Sequence, residues 1–281
     1  MQVESIEKKA FNIRKHIVQT VINNGDGHAG PSLSCTDILA TLYFGIMDIK
    51  VDEPKCSNRD RFVLSAGHKC LALYGTLIEM GFEMTDVMDT YNKLGSKVPG
   101  HPDMKKFSGV DFSSGALGHG LPIGSGMALS AKLKGEKQRI FVLMGDGEQG
   151  EGSNWEAAMF ASHHCLDNLV GIIDRNGLQI NGSTREVLDT RDLREKYAAF
   201  GWSVKVVDGH NIEELLNTFQ SIPFQKGKPS MVITNTIKSK GMPFAEGNVK
   251  YHHWNPGKDS CESKEAQEAL EHYAKEKGWA I

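Results

Sequence analysis

Hydrophobic and polar positions follow two alternating patterns along the chain: short apolar runs, and longer segments in which apolar residues recur at helical spacing. The apolar runs predict β-strands at residues 62–64, 139–144, 169–173, 203–207 and 230–236. The helical spacing predicts α-helices at residues 4–23, from about Ser34 or Thr36 through Tyr43, and at 70–80, 122–133, 153–165, 192–200, 211–219 and 263–277. Alternation of strands with helices predicts an α/β fold, in which a mainly parallel sheet carries helices on both faces.

The length and the even composition favour one domain. A chain of 281 residues is long enough for one large or two ordinary domains, and no linker, repeat or low-complexity tract divides it. We therefore expect residues 1–281 to form a single domain, in which residues from about 259 to 281 form a helical tail.

Composition and charge exclude several classes of function. Hydrophobic residues make up 40% of the chain and charged residues 24%, as in a soluble globular protein. The net charge of −3 offers no basic surface for nucleic acid, and no apolar run is long enough to span a bilayer. The charged N-terminal segment is unlike a signal peptide. Five cysteines without a CxxC pair favour reduced thiols over disulfides or zinc, so we expect a cytoplasmic protein.

A glycine-rich turn follows the second predicted strand and predicts a metal and diphosphate site. Residues 145–152 read Gly-Asp-Gly-Glu-Gln-Gly-Glu-Gly, and Asn176 follows the next strand. Because the carboxyl ends of parallel strands meet at one edge of a sheet, Asp146 and Asn176 should lie side by side. Their hard oxygens suit Mg²⁺, while the glycines and the next helix N-terminus suit a diphosphate. The alternative is an ordinary glycine-rich turn in which Asp146 caps a helix.

Four histidines lie in Gly- or Pro-bearing loops: His28, His68, His101 and His252. Any one of them could be a surface or structural histidine, but their shared placement favours a site, because function concentrates in such loops. Clustered imidazoles can move protons near pH 7 and bind a polyhydroxylated substrate. Five other histidines lack this context and are interpreted as structural or surface histidines; they are His16, His163, His164, His210 and His272.

These motifs together resemble the amino-terminal half of transketolase, over about residues 5 to 258. Gly-Asp-Gly followed by Asn about thirty residues later resembles the thiamine diphosphate fingerprint. The other matching stretches are Gly27-His28, residues 58–68 (Asn-Arg-Asp-Arg-Phe-Val-Leu-Ser-Ala-Gly-His), Pro99-Gly100-His101-Pro102, residues 115–120 (Gly-Ala-Leu-Gly-His-Gly) and Val207-Asp208-Gly209-His210. The resemblance implies the three-layer thiamine diphosphate-binding fold.

The resemblance also implies roles for individual residues. Asp146, Asn176 and the backbone oxygen of Leu178 would hold Mg²⁺, or Ca²⁺ or Mn²⁺ in its place. The residues that would line the cofactor are His68, Gly115, Ala116, Leu117, Gly147, Glu151, Asn176, Ile237, Lys238 and His252. The residues that would act on the sugar or assist proton transfer are His28, His68, His101, His252 and Glu151.

Glu151 has two possible roles, and the sequence departs from the family pattern at two histidine loops. Glu151 would join a polar network that links paired active sites across a dimer; a first-turn Glu favoured by the helix dipole is the alternative, and both could hold. The loop at His28 reads Gly-His-Ala, where many relatives have Gly-His-Pro. His252 and His253 are adjacent, and the aromatic residue before His252 favours that histidine for the active site.

In transketolases the catalytic glutamate and the residues that stack on the pyrimidine lie in a second domain, beyond the region that this chain matches. The resemblance therefore implies a separately encoded C-terminal partner subunit, in an α2β2 heterotetramer that acts on sugar phosphates. We expect no nucleic-acid or membrane partner, and little activity from the single chain.

Several functions remain open at this point. The leading hypothesis is the N-terminal subunit of a split transketolase that uses thiamine diphosphate and Mg²⁺ to transfer a two-carbon ketol unit. A close alternative is a split transketolase specialised for a branched or sulfonated sugar. A deoxyxylulose-phosphate synthase or a 2-oxo-acid dehydrogenase subunit fits the loops at His68 and His101 less well. A non-catalytic, cofactor-binding regulatory subunit is the alternative of another class.

Overall fold

Five parallel strands form the centre of the molecule, in a computed structural model that describes residues 1–280. They are β1 (Arg61–Leu64), β2 (Ile140–Gly145), β3 (Leu169–Arg175), β4 (Ser203–Asp208) and β5 (Ser230–Asn235). The strand order is β1-β2-β3-β5-β4, and each neighbouring pair is parallel. The predicted α/β fold with a mainly parallel sheet is confirmed.

Within residues 1–280, ten α-helices connect and cover the strands. They are α1 (Gln2–Asn24), α2 (Ala29–Ser34), α3 (Thr36–Thr41), α4 (Cys70–Met80), α5 (Gly120–Leu133), α6 (Gly152–His163), α7 (Thr184–Leu188), α8 (Leu193–Ala199), α9 (Ile212–Gln220) and α10 (Cys261–Lys277). Short 3₁₀ turns lie at Gly67–Lys69, Thr85–Thr90, Gly147–Gly150 and Val249–His252, and a π-helical turn lies at Leu42–Ile46. Across residues 1–280, no helix combines the length and the apolar character needed to cross a membrane.

Two helical segments differ from the sequence-based prediction. The helix expected from about Ser34 begins earlier, at Ala29, and breaks at Cys35 into α2 and α3. Pro31 lies in the first turn of α2, where a missing N–H costs nothing, so it does not prevent the early start. The short helix α7 is not indicated by the hydrophobic pattern. Ser183 and Glu186 form a capping box that fixes its first turn, although none of its residues is buried.

Both faces of the sheet are covered, because successive strand residues point to opposite sides. Phe141 and Leu143 of β2 belong to a core that includes residues of α1, α3, α4, α9 and α10. Ile140, Val142 and Met144 belong to a second core with residues of α5, α6 and α8. The three layers predicted from the sequence are therefore present.

The carboxyl ends of β2, β3 and β5 meet at one edge of the sheet. Gly145 pairs with Asp174, and Asp174 pairs with Thr234 on its other side. The glycine-rich turn after β2, the turn after β3 and the long loop after β5 therefore emerge next to one another. This edge is where an open α/β sheet binds its ligands.

Candidate active site

The glycine-rich turn after β2 packs against the end of β3 and against the turn that follows β3. Asp146 N–H donates to the carbonyl oxygen of Asp174, 3.3 Å away, which joins the turn to the end of β3. A Cβ on Gly147 would lie 2.7 Å from Cγ of Gln179, so any larger residue would require the Gln179 side chain to shift. The turn then leads into the first residues of α6 at Gly152.

Asp146 carries a carboxylate that is only 5% exposed. Its Oδ1 accepts a hydrogen bond from Gly147 N–H (2.8 Å), and its Oδ2 accepts one from Gly177 N–H (2.6 Å). Burial and the nearby Asp174 charge raise the pKa of Asp146 to about 6, although these two N–H groups oppose the shift. A bound cation would offset the burial and the Asp174 charge, and would favour the ionised carboxylate.

The other two predicted metal ligands lie in the adjoining turn. Asn176 Oδ1 accepts from Leu178 N–H at 3.1 Å, and the carbonyl oxygen of Leu178 is 3.4 Å from Lys238 Nζ. Within residues 1–280, no group of three or more His, Cys, Asp or Glu side chains could hold a metal ion. A cation here would need amide, carbonyl and ligand oxygens besides Asp146. That hard-oxygen set fits Mg²⁺ with a diphosphate.

A buried ion pair, not anticipated from the sequence, lies beneath this turn. Asp174 is fully buried, and its Oδ2 is 2.5 Å from Lys69 Nζ and 2.5 Å from Ser34 Oγ. Thr236 Oγ1 donates to its other oxygen. Burial alone would raise the pKa of Asp174, but the Lys69 ammonium and the hydrogen bonds from Lys69, Ser34 and Thr236 together outweigh burial and hold that pKa below the usual range. The network fixes the end of β3 to three other segments.

Glu148 is a second buried group that sequence reasoning missed. It is 2% exposed and accepts hydrogen bonds from Ser65 Oγ, from Gly118 N–H (2.7 Å) and from Gly145 N–H (2.9 Å). Ser65 Oγ in turn accepts from Gly120 N–H at 3.0 Å. These bonds hold the loop before α5 against the glycine-rich turn. A Glu inside a run of glycines was the available signal for this role.

The predicted cofactor-lining residues before α5 lie on the open side of that loop. Gly115 and Ala116 are exposed, and Leu117 is half-buried. Glu151 is exposed at the start of α6 and makes no side-chain capping bond there. Its predicted role between paired active sites stays a prediction, because it concerns contacts with a neighbouring protomer.

Three of the four predicted histidines form one cluster. The ring centroids of His28 and His68 are 5.5 Å apart, those of His28 and His252 are 5.6 Å apart, and those of His68 and His252 are 5.3 Å apart. His101 is exposed, and its ring Cδ2 would lie 4.0 Å from a Cβ on Gly115, so it stands beside the loop before α5. The sequence therefore identified residues that converge from distant loops.

His253 also joins the cluster, on its outer side. Its ring centroid is 4.5 Å from that of His28, and its Nε2 is 3.1 Å from Asp26 Oδ1. His252 contacts both His28 and His68, whereas the side chain of His253 is 41% exposed. This placement supports the choice of His252 as the inner histidine.

Burial keeps the imidazoles of His28, His68 and His252 neutral. Burial, with neighbouring His253, His101 and Lys238, lowers the pKa of His28 to about 4. Burial and Lys238 lower the pKa of His252 to about 3, and burial and Lys69 lower that of His68 well below its ordinary value. At pH 7 each ring therefore offers one donor and one acceptor.

Lys238 fixes the tautomer of His252. Burial, together with the charge of Lys69, lowers the pKa of Lys238 to about 8, so it remains an ammonium at pH 7. Its Nζ donates to His252 Nδ1 at 2.8 Å. Because an ammonium only donates, His252 Nδ1 is the acceptor and Nε2 carries the proton. Ile237, the preceding residue, lies two residues after β5 and is 39% exposed.

The unusual Ala29 has a local structural role. Its N–H donates to the carbonyl oxygen of Gly27 at 2.9 Å, in the turn that carries His28. A proline at this position has no N–H and could not make this bond. The departure from Gly-His-Pro therefore changes how the His28 turn is held.

Comparison with known proteins gives a consistent result over the whole chain. Residues 6–275 match the family described as transketolase, thiamine diphosphate binding domain. The chain is 45% identical to one of the subunits of an apulose-4-phosphate transketolase from Phocaeicola vulgatus, over 98% of this chain and 99% of that protein. It is 41% identical to a 6-deoxy-6-sulfo-D-fructose transketolase subunit of a Clostridium species, over 88% of this chain and 90% of that protein.

Solved structures agree with the sequence relatives. A transketolase from Campylobacter jejuni superposes with a TM-score of 0.88 at 28% identity, over 99% of this chain. The match covers 43% of that longer transketolase chain. The chain thus spans the full length of the subunit-type relative from Phocaeicola vulgatus and less than half of the longer enzyme.

Proposed function

Because the chain belongs to the family of transketolase thiamine diphosphate binding domains, we propose that it is the cofactor-anchoring subunit of a two-subunit transketolase. The assembled enzyme transfers a two-carbon ketol unit from a ketose phosphate to an aldose phosphate. It is a transketolase-type transferase of carbohydrate metabolism, with the sugars of the pentose phosphate pathway as its reference substrates.

The meeting of two groups of residues at one sheet edge carries this proposal. Asp146 and Asn176 lie in adjoining turns after β2 and β3, and a cluster of neutral imidazoles lies beside them. Lys238 joins the two groups, since its Nζ is 2.8 Å from His252 Nδ1 and 3.4 Å from the carbonyl oxygen of Leu178. A metal and diphosphate site next to groups that bind hydroxyls is what ketol transfer requires.

We assign Mg²⁺ to Asp146, Asn176 and the Leu178 carbonyl oxygen; Ca²⁺ or Mn²⁺ could take its place. The diphosphate would lie against Gly147 and the loop that begins at Gly115. Bound thiamine diphosphate supplies the electron sink that allows a carbon–carbon bond beside a sugar carbonyl to break.

The histidines act on the sugar. Because His28 and His68 are neutral, each can accept a proton from a sugar hydroxyl or donate a hydrogen bond to its oxygen. His252 donates from Nε2, since Lys238 occupies its Nδ1. His101, at the exposed edge, would contact the sugar only in the assembled site.

A branched or sulfonated sugar is a second candidate substrate. Two relatives that share 45% and 41% identity are named for apulose 4-phosphate and for 6-deoxy-6-sulfo-D-fructose. Comparing kcat/KM of the assembled enzyme for these two compounds, xylulose 5-phosphate and fructose 6-phosphate would decide between the candidates. A kcat/KM at least tenfold higher for a modified sugar would favour the specialised enzyme. Such a ratio corresponds to about 1.4 kcal/mol of discrimination in the transition state.

We also propose a separately encoded partner that supplies the pyrimidine-binding half, in an α2β2 assembly. The subunit-type relative of similar length supports this, as does the 43% coverage of the longer transketolase. Glu151, exposed beside the site, would contact a neighbouring protomer there. The five free cysteines are consistent with a cytoplasmic location, which is part of the same proposal.

A titration of the assembled pair with thiamine diphosphate tests the cofactor assignment. Binding should require a divalent cation, and Asp146→Asn should abolish the cation requirement together with most of the affinity. Binding that is equally tight without any divalent cation would contradict the metal assignment. Tight binding without ketol transfer on any of the sugars above would favour the regulatory role instead.

A further inference from the structure

The turn Val207-Asp208-Gly209-His210 packs against the segment that follows β5. Gly209 N–H donates to the carbonyl oxygen of Asn235 at 2.8 Å. A Cβ on Gly209 would overlap Cγ2 of Thr236, so only glycine allows this close approach. The Asp208 carboxylate accepts a hydrogen bond from the backbone N–H of His210 at 2.8 Å, which fixes the backbone of the turn. The turn is built to contact residues 235–237.

His210 makes the second contact with this segment. Its Nε2 accepts a hydrogen bond from the backbone N–H of Ile237 at 2.8 Å. Its Nδ1 lies 2.8 Å from Asp37 Oδ2. Because Nε2 is an acceptor, the ring proton is on Nδ1 and is donated to Asp37. A side chain outside the cluster of histidines thus holds the backbone just after β5.

Two further residues hold His210 in this orientation. Asp37 on α3 is 5% exposed, and its Oδ2 is also 2.5 Å from Arg14 Nη2 on α1. The imidazole side chain is 13% exposed. Asp37 of α3 contacts it on one side, and the Ile237 N–H contacts it on the other. The chain of contacts runs from Arg14 through Asp37 and His210 to Ile237.

We propose that His210 is a positioning residue that holds the Ile237–Lys238 segment in the conformation that receives the cofactor. Lys238, the next residue, is 1% exposed and fixes the tautomer of His252. Loss of the Ile237 anchor would allow this segment to leave the cofactor site and would free His252 to change tautomer. The inference rests on the proposed function only in naming thiamine diphosphate as the ligand that this segment meets.

A cavity beside His210 makes a direct test possible. It has a volume of about 710 Å³, and its lining includes Arg14, Asp37, His210 and Tyr273. A substitution by alanine would therefore leave space that free imidazole can enter from this side. If added imidazole restores the properties of the wild type, the hydrogen bonds of the His210 ring are responsible for them. If it does not, the effect of the substitution comes from lost side-chain packing.

The experiment compares His210→Ala with His272→Ala, whose parent side chain lines the same cavity and is 72% exposed beside Glu276. Two quantities are measured, each with and without imidazole: hydrogen exchange of the Ile237 amide in the single chain, and thiamine diphosphate affinity of the pair. His210→Ala should exchange the Ile237 amide faster and bind the cofactor about tenfold more weakly, the effect of one lost hydrogen bond. Imidazole should reverse both changes, and His272→Ala should show neither.

Unchanged exchange at Ile237 in His210→Ala would overturn the proposal, as would cofactor affinity equal to that of the wild type. A melting temperature measured for each variant shows whether the fold is intact. Where His210→Ala is unstable, His210→Leu takes its place in the measurements without imidazole, because leucine fills the space but cannot accept from the Ile237 N–H. If the wild-type pair binds no thiamine diphosphate, the proposed function fails, and exchange at Ile237 still decides whether His210 anchors the segment.

Discussion

At the scale of single residues, the site depends on positions where backbone segments meet without a side chain between them. Gly30 in α2 is such a position, because a Cβ there would overlap the carbonyl oxygen of Tyr251. Tyr251 precedes His252 in the Val249–His252 turn. The glycine therefore sets how closely the turn with His252 approaches the helix that follows His28.

Gly30→Ala should destabilise the chain by about 2 kcal/mol or more, because the contacted atom is backbone and cannot rotate away. Gly126→Ala is the matched control, since no atom lies within 4 Å of a Cβ at that position in α5. The control should stabilise the chain by about 0.5–1 kcal/mol through helix propensity. Urea unfolding of both variants measures the difference, and equal stabilities would refute the argument from the Gly30 contact.

At the scale of secondary-structure elements, buried charges join segments that are distant in the sequence. Lys69 follows β1, Asp174 ends β3, and their ion pair is almost completely buried. Removing one partner of such a pair leaves the other charge without compensation in the interior.

Lys69→Met should therefore cost about 3–5 kcal/mol of stability. Lys97→Met, which breaks a pair whose lysine side chain is 58% exposed, should cost at most about 1 kcal/mol. Denaturant unfolding of the single chain would compare them. A loss for Lys69→Met no larger than that for Lys97→Met would show that the buried pair does not hold these elements together.

Asp37 gives the contacts between α1, α3 and the His210 turn a dependence on acid. Burial would raise the pKa of Asp37, but Arg14 and His210 outweigh burial and lower it from 3.8 to about 2. Because the pKa is lower in the folded chain, the stabilisation is complete above about pH 4 and is lost as the pH falls toward 2. It amounts to about 2 kcal/mol. Asp37→Asn should reduce the loss of stability between pH 4 and 2, and an unchanged pH profile would contradict this account.

The strands and the glycine-rich turn could be predicted from the sequence, whereas the buried polar pairs around the site could not. The five strands follow from apolar runs, and the turn with Asp146 follows from its glycines, because both are local patterns. The buried polar pairs join residues that are distant in the sequence, and no local pattern indicates them. The separations are 105 residues for Lys69 and Asp174, 83 for Ser65 and Glu148, and 173 for Asp37 and His210. For this reason the sequence alone does not distinguish His210 from a surface histidine.

At the scale of the whole molecule, our proposal gives the chain one side of an active site. The turn with Asp146, the neutral histidines and the Lys238 segment lie at one sheet edge. In our proposal the catalytic glutamate and the pyrimidine-binding residues come from the partner subunit. The single chain should therefore lack ketol transfer even though its own residues are already positioned.

The most direct test is a ketol-transfer assay on the purified chain alone and on the chain co-expressed with its partner subunit. Both samples receive xylulose 5-phosphate and ribose 5-phosphate, and then the modified sugars, with and without thiamine diphosphate and Mg²⁺. We predict turnover only by the pair and only with cofactor and metal present. Turnover by the single chain, or turnover by the pair that is independent of thiamine diphosphate, would contradict the account.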